Sequence, residues 1–242
     1  MAFSAPSSQS AVAAMFGRIA SGYDAANAIL SFGIDRLWRR RLVRGVEAAF
    51  LPGSRRRILD LAAGTYDVSL ALVRAIPGVT VVAADFCLPM LQAGTGKLHA
   101  AGAYAQRRIL PLAGDGLRLP LRDNCVDAVT VSFGLRNMRP RADALAEACR
   151  VLVPGGFFHI LEFGSAKGRI WGGLYNLYLT RILPFVGGLV TGDKDAYEYL
   201  ARTVTDFPEA SILVAEMYHA GFREVAAHKL WGGIVYLHVG KK

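Results

Sequence analysis

Two spacings of apolar positions alternate along the middle of the chain. Arg57–Ala63 (RILDLAA), Val79–Asp85 (VTVVAAD) and Val126–Phe133 (VDAVTVSF) are short, nearly unbroken apolar runs, the pattern of strands buried on both faces. Arg108–Ala113 reads as a weaker strand and Phe157–Phe163 as a fifth. Between them Tyr66–Ile76, Leu88–Ala101 and Ala142–Leu152 read as helices. Pro154-Gly155-Gly156 ends the last of these, because none of the three continues a helix. After Glu209 come a helix, a turn at Ala220-Gly221 and two strands, Arg223–Leu230 and Ile234–Val239, linked as a hairpin by Trp231-Gly232-Gly233. This order predicts an α/β, Rossmann-like fold. Its seven-stranded sheet is mainly parallel, with helices on both faces and an antiparallel hairpin at the C-terminus.

Two regions depart from that alternation. Within 11–50, Met15, Phe16, Ile19 and Tyr23, then Ile34, Leu37, Trp38, Leu42, Val46 and Phe50, recur at helical spacing. They predict a helical lid laid over the ligand-binding edge of the sheet. Residues 167–206 form an apolar, aromatic insertion (IWGGLYNLYLTRILPFVGGLV) followed by a polar stretch. The first ten residues are small and polar and read as a flexible tail, leaving 11–242 as one domain.

Composition narrows the class. With 53% hydrophobic residues among 242, a full core can be buried, yet no apolar run is long enough to cross a bilayer. Cys87, Cys125 and Cys149 are widely separated, which gives no disulfide framework and no zinc signature and fits a cytoplasmic setting. No metal is expected. Lys and Arg exceed Asp and Glu by 28 to 19, a net charge of +9. That excess suits nucleic acid or an anionic membrane surface. No aromatic stacking pattern accompanies the basic clusters at 36–44 and 55–57, so membrane-surface contact is favoured over nucleic acid.

Ligands of open parallel sheets bind beyond the carboxyl ends of the strands. Those ends carry Asp60 and Ala63-Gly64-Thr65-Tyr66-Asp67, then Asp85, then Asp115-Gly116, then Ser132 and Arg136-Asn137, then Glu162. Asp85 follows Gly64 by 21 residues, the spacing at which a carboxylate accepts ribose hydroxyls. The glycines that admit a pyrophosphate are missing, since Tyr66 and Ser69 stand in their places. A nucleoside with a non-phosphate tail is therefore indicated, and S-adenosylmethionine (SAM) fits. Singly, each feature has a plainer reading: a packing turn at Gly64, a helix cap at Asp85 and a turn closure at Asp115.

Several longer segments are more specific: FGRIASGYDAAN (16–27), SFGIDRLW (31–38), LDLAAGTYD (59–67), VSFGLRN (131–137), RVLVPGG (150–156), LEF (161–163) and DAYEYL (195–200). With them the chain resembles the ubiquinone/menaquinone biosynthesis C-methyltransferases from about Met15 to Gly240. The resemblance implies the fold of a class I SAM-dependent methyltransferase, with cofactor contacts at Thr65, Asp85, Asp115, Gly116 and Ser132 and with Tyr23 closing the lid. Asp60 and Gly64, from the strand ends, complete the expected cofactor set. The chain departs from the family where GGTGD is usual: Tyr66 replaces a glycine suited to positive φ. Either the loop is remodelled, with the Tyr66 ring stacking over the ligand or turning away, or SAM binds poorly.

The resemblance further implies carbon methylation of a polyprenylated quinol, demethylmenaquinol to menaquinol. Arg136 would stabilise the phenolate that forms as the ring hydroxyl loses its proton, and Asn137 would orient the ring oxygen or the arginine. Glu162, Asp193 and Tyr197 are the expected substrate-pocket residues. The plainer readings are a surface ion pair for Arg136 with Asp143 or Glu147, loop ordering for Glu162 and core packing for Tyr197. Ile170–Val190 is expected to serve the prenyl tail and the membrane interface, or else to form core or a homodimer contact. Other readings are a benzoquinol acceptor of ubiquinone biosynthesis, another phenolic acceptor, or a non-catalytic scaffold of a quinone-synthesis complex.

Overall fold

The apolar runs become the centre of the sheet. In the computed structural model, which describes residues 9–50, 56–164 and 177–242, β1 (Arg57–Leu61), β2 (Thr80–Asp85) and β4 (Val126–Ser132) are almost wholly buried. β3 (Ile109–Ala113) lies at one edge and is half exposed, in keeping with its weaker pattern. β5 (Leu152–Phe163) pairs parallel to β4. β7 (Val235–Lys241) runs antiparallel to β5, and β6 (Arg223–Leu230) antiparallel to β7. The sheet order is β3-β2-β1-β4-β5-β7-β6, seven strands, so the chain changes direction across the sheet between β1 and β4.

Helices α1 (Gln9–Ile19), α2 (Tyr23–Leu30) and α3 (Asp35–Ala48) form the N-terminal region. α1 starts two residues inside the stretch expected to be a tail. α3 corrects the lid reading. Its Trp38, Leu42 and Val46 are buried in the core with Ile58, Val81 and Leu237, so it is a layer on the sheet, and Leu37 points outward.

After β1 comes α4 (Asp67–Ala75). The segment read as one helix over 88–101 is broken at Gly94 into α5 (Leu88–Ala93) and α6 (Thr95–Ala100), and α7 (Gly102–Arg108) follows. α8 (Arg141–Val151) covers the other face. The strand expected from Phe157 begins at Leu152, which pairs with Val126 before a bulge carries the Pro154-Gly155-Gly156 excursion. Gly155 sits at φ 80° there and its N–H is held by the carbonyl of Lys242.

Most of the apolar insertion falls into a π-helical turn (Tyr178–Ile182), α9 (Leu183–Thr191) and α10 (Lys194–Thr205); residues 167–176 lie outside the described residues. Leu179, Leu183, Tyr197 and Val204 bury against Met15, Ile19 and Ala26, so the insertion and the first two helices share a small core of their own above the sheet. α11 (Ala210–His219) leads into the terminal strands.

Candidate active site

The switch between β1 and β4 opens a cleft of about 670 Å³, lidded by Phe16 of α1 and Tyr23 of α2. Gly64, Asp85, Asp115, Gly116, Ser132 and Asn137 line it, brought together from the ends of β1, β2, β3 and β4. Asp85 Oδ2 accepts the Gly64 N–H at 2.8 Å and Oδ1 accepts the Cys87 N–H at 2.8 Å. Burial raises its carboxyl above the usual carboxylate range, and the N–H bonds of Cys87, Gly64 and Phe86 pull it back. Asp115 closes its turn by accepting the Leu117 N–H at 2.9 Å. At Gly116 a side chain would meet Met138 Sδ at 3.1 Å and Leu61 Cδ1 at 3.3 Å. Ser132 Oγ is buried and has no hydrogen-bond partner.

The loop after β1 is left-handed at alternate residues: φ is 56° at Ala62, 55° at Gly64 and 69° at Tyr66. Tyr66 adopts the glycine conformation at a cost on the order of 1–2 kcal/mol. Its ring turns away from the cleft into the core and is 1% exposed.

Four expected site residues stand elsewhere. Asp60 lies beneath the loop, accepting Ser69 Oγ–H at 2.6 Å and Thr130 Oγ1–H at 3.0 Å, and burial pushes its carboxyl up to about 6. Thr65 gives its hydroxyl to Asp24 Oδ1 at 2.6 Å and accepts from Lys97 Nζ at 2.8 Å, outside the cleft. Asp193 caps α10 through the Ala196 N–H at 3.1 Å and pairs with Arg18 at 2.8 Å, strapping the insertion to α1. Glu162 sits behind Arg136, which is its ion-pair partner at 2.9 Å.

A second, larger cleft of about 1480 Å³ adjoins the first and shares Tyr23 and Phe133 with it. Its walls are aromatic and aliphatic. Phe133 and Phe163 stack tilted at 4.7 Å, with Trp38 at 6.0 and 6.4 Å from them. Leu179, Leu183 and Val204 continue the lining from the insertion. Arg136 is buried in this wall, its guanidinium 5.5 Å from the Phe163 ring and its Nη1 donating to Glu162 and to the Phe133 carbonyl. Arg136 and Asn137 also border a small recess with Tyr197 and Tyr199, where Tyr199 donates to Asn137 Oδ1 at 3.2 Å. Tyr197 packs on the face of Gly187, and burial pushes its hydroxyl up to about 12. Among the described residues no group of three His, Cys, Asp or Glu could hold a metal.

The sequence model of the ubiE/COQ5 methyltransferase family matches residues 5–242. The chain belongs to the ubiE/COQ5 methyltransferase family. The demethylmenaquinone methyltransferase of Thermus thermophilus is 43% identical over 228 residues, covering 94% of this chain and 100% of that protein. The ubiquinone/menaquinone biosynthesis C-methyltransferase of Stutzerimonas stutzeri is 39% identical over 242 residues, covering 98% and 91%. A SAM-dependent methyltransferase from Aquifex aeolicus has the same fold, with a TM-score of 0.57 at 17% identity over 82% of this chain and 88% of that one.

The methyltransferase cofactor is SAM, and the first cleft suits it. A carboxylate stands where hydroxyl donors can approach, a buried serine hydroxyl lacks a partner, and Gly64 and Gly116 leave room for close contact. Phe16, expected in the lid, lines the cleft, and so do Phe86 and Met138, which the sequence pattern did not mark. Phe86 had a usable signal, since it directly follows the strand-end Asp85. Met138 did not, because an apolar residue on a loop reads as core.

Proposed function

We propose that this chain methylates a ring carbon of a polyprenylated quinol, converting demethylmenaquinol to menaquinol. One observation carries the reading: an apolar cleft with an aromatic wall joins the cofactor cleft at Tyr23 and Phe133, and a buried arginine stands in that wall. A flat ring fits between such aromatic faces, and a long hydrocarbon tail fits the aliphatic remainder. The relatives' names support the same acceptor class.

In this reading Asp85 accepts the ribose hydroxyls of SAM, Asp115 and Gly116 border its adenine, and Ser132 supplies its unpartnered hydroxyl. SAM when bound supplies an electrophilic methyl group. Arg136 stabilises the phenolate charge that makes the ring carbon nucleophilic, and Glu162 holds Arg136 in place. Arginine keeps its proton, so the hydroxyl proton leaves through water held beside it, and the ring C–H proton is lost after the methyl is transferred. Asn137, fixed by Tyr199, orients the ring oxygen. Tyr23 and Phe16 exclude solvent from the junction.

An apolar surface beside the acceptor cleft supports membrane contact in this reading. Ile182, Phe185 and Leu189 project from one side of the π-turn and α9 at i, i+3, i+7, with Phe185 64% and Leu189 72% exposed. Phe32, at 82%, projects from the turn beside the same cleft, and α3 continues from it with exposed Arg36, Arg40 and Arg44. Apolar tips beside a basic stripe suit an anionic bilayer. Among the described residues no helix is long and apolar enough to cross a membrane.

The reaction is tested with isotopically labelled SAM and demethylmenaquinol, reading the extracted quinone by mass spectrometry. One labelled methyl on the naphthoquinone ring is expected. A methyl appearing only on the benzoquinol acceptor would move the chain to ubiquinone biosynthesis; none on either would return weight to a scaffold. Flotation with anionic vesicles tests the surface. Phe185→Ser with Leu189→Ser is expected to release the protein, and unchanged flotation would remove the apolar rim from the picture.

A further inference from the structure

Gly94, at the break between α5 and α6, lines neither cleft, yet its lack of a side chain bears directly on the cofactor loop. Its backbone is right-handed (φ −77°, ψ −11°), open to any residue, and the helical bonds run through it, from its N–H to Met90 and from Leu98 to its carbonyl. Room is what excludes a side chain there. A Cβ on Gly94 would stand 2.6 Å from Tyr66 Cδ2 and 2.8 Å from Thr65 Cα.

The neighbours on the same helix face extend this contact. Met90, Gly94 and Lys97 recur at i, i+4, i+7 and meet the loop in chain order. Met90 lies against Gly64, where an added Cβ would be 3.5 Å from its Cε. Gly94 receives Thr65 and the Tyr66 ring. Lys97 Nζ holds Thr65 Oγ1 at 2.8 Å and Asp67 Oδ1 at 2.5 Å. Residues 64–67 are therefore clamped by one helical face.

A glycine at 66 would take the left-handed conformation freely; a tyrosine must be held in it. We propose that Gly94 is a positioning residue for the cofactor loop. It seats the Tyr66 ring, and the seated ring keeps residue 66 left-handed, so that Ala62 and Gly64 stay turned to the cofactor cleft they line. Tyr66 is the second half of the device. This chain thereby keeps a SAM-competent loop without the glycine usual there, and SAM affinity depends on a residue that does not touch SAM.

The inference rests on SAM as the cofactor and not on the acceptor, so calorimetric titration of the full chain with SAM tests it apart from methyl transfer. Gly94→Ala is expected to weaken SAM binding by about tenfold or more, the scale of an overpacked contact. Gly96→Ala is the matched control, because a Cβ there meets nothing within 4 Å. It is expected to bind SAM as the parent does. Tyr66→Ala, which keeps the strained backbone and removes the ring, is expected to weaken SAM about fivefold, whereas Tyr66→Phe keeps parent affinity. In turnover, the Gly94→Ala effect is expected in KM for SAM, with kcat at saturating SAM nearly retained. Parent affinity in Gly94→Ala, or an equal loss in Gly96→Ala, would overturn the assignment. If circular dichroism shows Gly94→Ala unfolded, the Tyr66 pair decides: equal affinity of Tyr66→Ala and Tyr66→Phe overturns it.

Discussion

Arg136 and Glu162 form a buried ion pair in the wall of the acceptor cleft, with Nη1 2.9 Å from Oε1 and no exposed surface on Glu162. Glu162 also accepts the backbone N–H of Arg136 at 3.3 Å and that of Phe163 at 3.0 Å, so one carboxylate fixes both the guanidinium and the turn that carries it. Arg136 Nε is left without an acceptor. The pair separates two tasks. Arg136→Ala is expected to lower methyl transfer by about a thousandfold, the upper range for losing a charge-stabilising donor. SAM affinity should stay near the parent value, because Arg136 does not line the cofactor cleft. Glu162→Gln is expected to lower kcat about a hundredfold by misplacing the guanidinium, and to lower stability by roughly 3 kcal/mol, since a buried charge loses its partner. Labelled methyl transfer and thermal melts read both. Parent-like turnover in Arg136→Ala would remove it from the chemistry.

Asp85 differs from Glu162 in having its carboxylate between backbone donors and open cleft. Asp85→Asn is expected to weaken SAM binding by about ten- to a hundredfold, the range for losing charge-assisted bonds of about 1.5–3 kcal/mol. The amide cannot accept from Gly64 and Cys87 and also receive two hydroxyls. Calorimetry with SAM checks this, and unchanged affinity would place the ribose elsewhere.

The strands and the ends they deliver were legible because a strand buried on both faces writes itself as an unbroken apolar run. Asp85, Asp115, Gly116 and Ser132 follow such runs and line the cleft. Side-chain direction was not legible. Asp60 and Asp85 both stand near the carboxyl ends of parallel strands, yet Asp60 faces Ser69 and Thr130 under the loop while Asp85 faces the cleft. Thr65 and Asp193 are polar residues near the site whose partners, Asp24 and Arg18, are 41 and 175 residues away in the chain. Gly94 escaped for a related reason. Local spacing over 88–101 is that of one helix, and only the approach of Thr65 and Tyr66 requires a bare backbone there. That Tyr66 turns away instead of stacking on the ligand depended on the same contact.

Lys97 ties the lid to the loop. Its Nζ lies 2.8 Å from Asp24 Oδ2 on α2 and 2.5 Å from Asp67 Oδ1, while Asp67 continues to Arg39 at 3.0 Å and Arg39 to Asp35 at 2.7 Å. Asp24 lies in the first turn of α2, next to Tyr23, which borders both clefts. Lys97→Met is expected to speed SAM release several-fold, raising KM for SAM more than it lowers kcat. Because Lys97 and Asp24 are about a third or more exposed, added salt should narrow the gap between parent and variant. Stopped-flow release at low and high ionic strength checks this; a variant releasing SAM at the parent rate would show the latch to be idle.

Stability is expected to fall as pH drops from about 6.5 toward about 4. Burial pushes His159 and His238 each down to about 4, so in this window the unfolded chain binds two protons that the native protein refuses. Asp60 works the other way. Its carboxyl, pushed up to about 6, takes a proton in the native state first and adds stability as pH falls toward 3.8. Counting these three groups alone, the unfolded chain near pH 5 still holds about one proton more than the native protein, a loss of roughly 1 kcal/mol per pH unit. Asp85, also raised by burial, adds to the Asp60 side, and Glu147, lowered chiefly by its hydrogen bond from Arg150, adds to the histidine side. Asp60→Asn removes one opposing group, so its melting temperature should fall more steeply than the parent's between pH 6 and pH 4. His159→Gln should flatten the same curve. Denaturant titrations at half-unit pH steps check the slopes, and parallel curves for the parent and both variants would show that these buried groups do not set the acid limit.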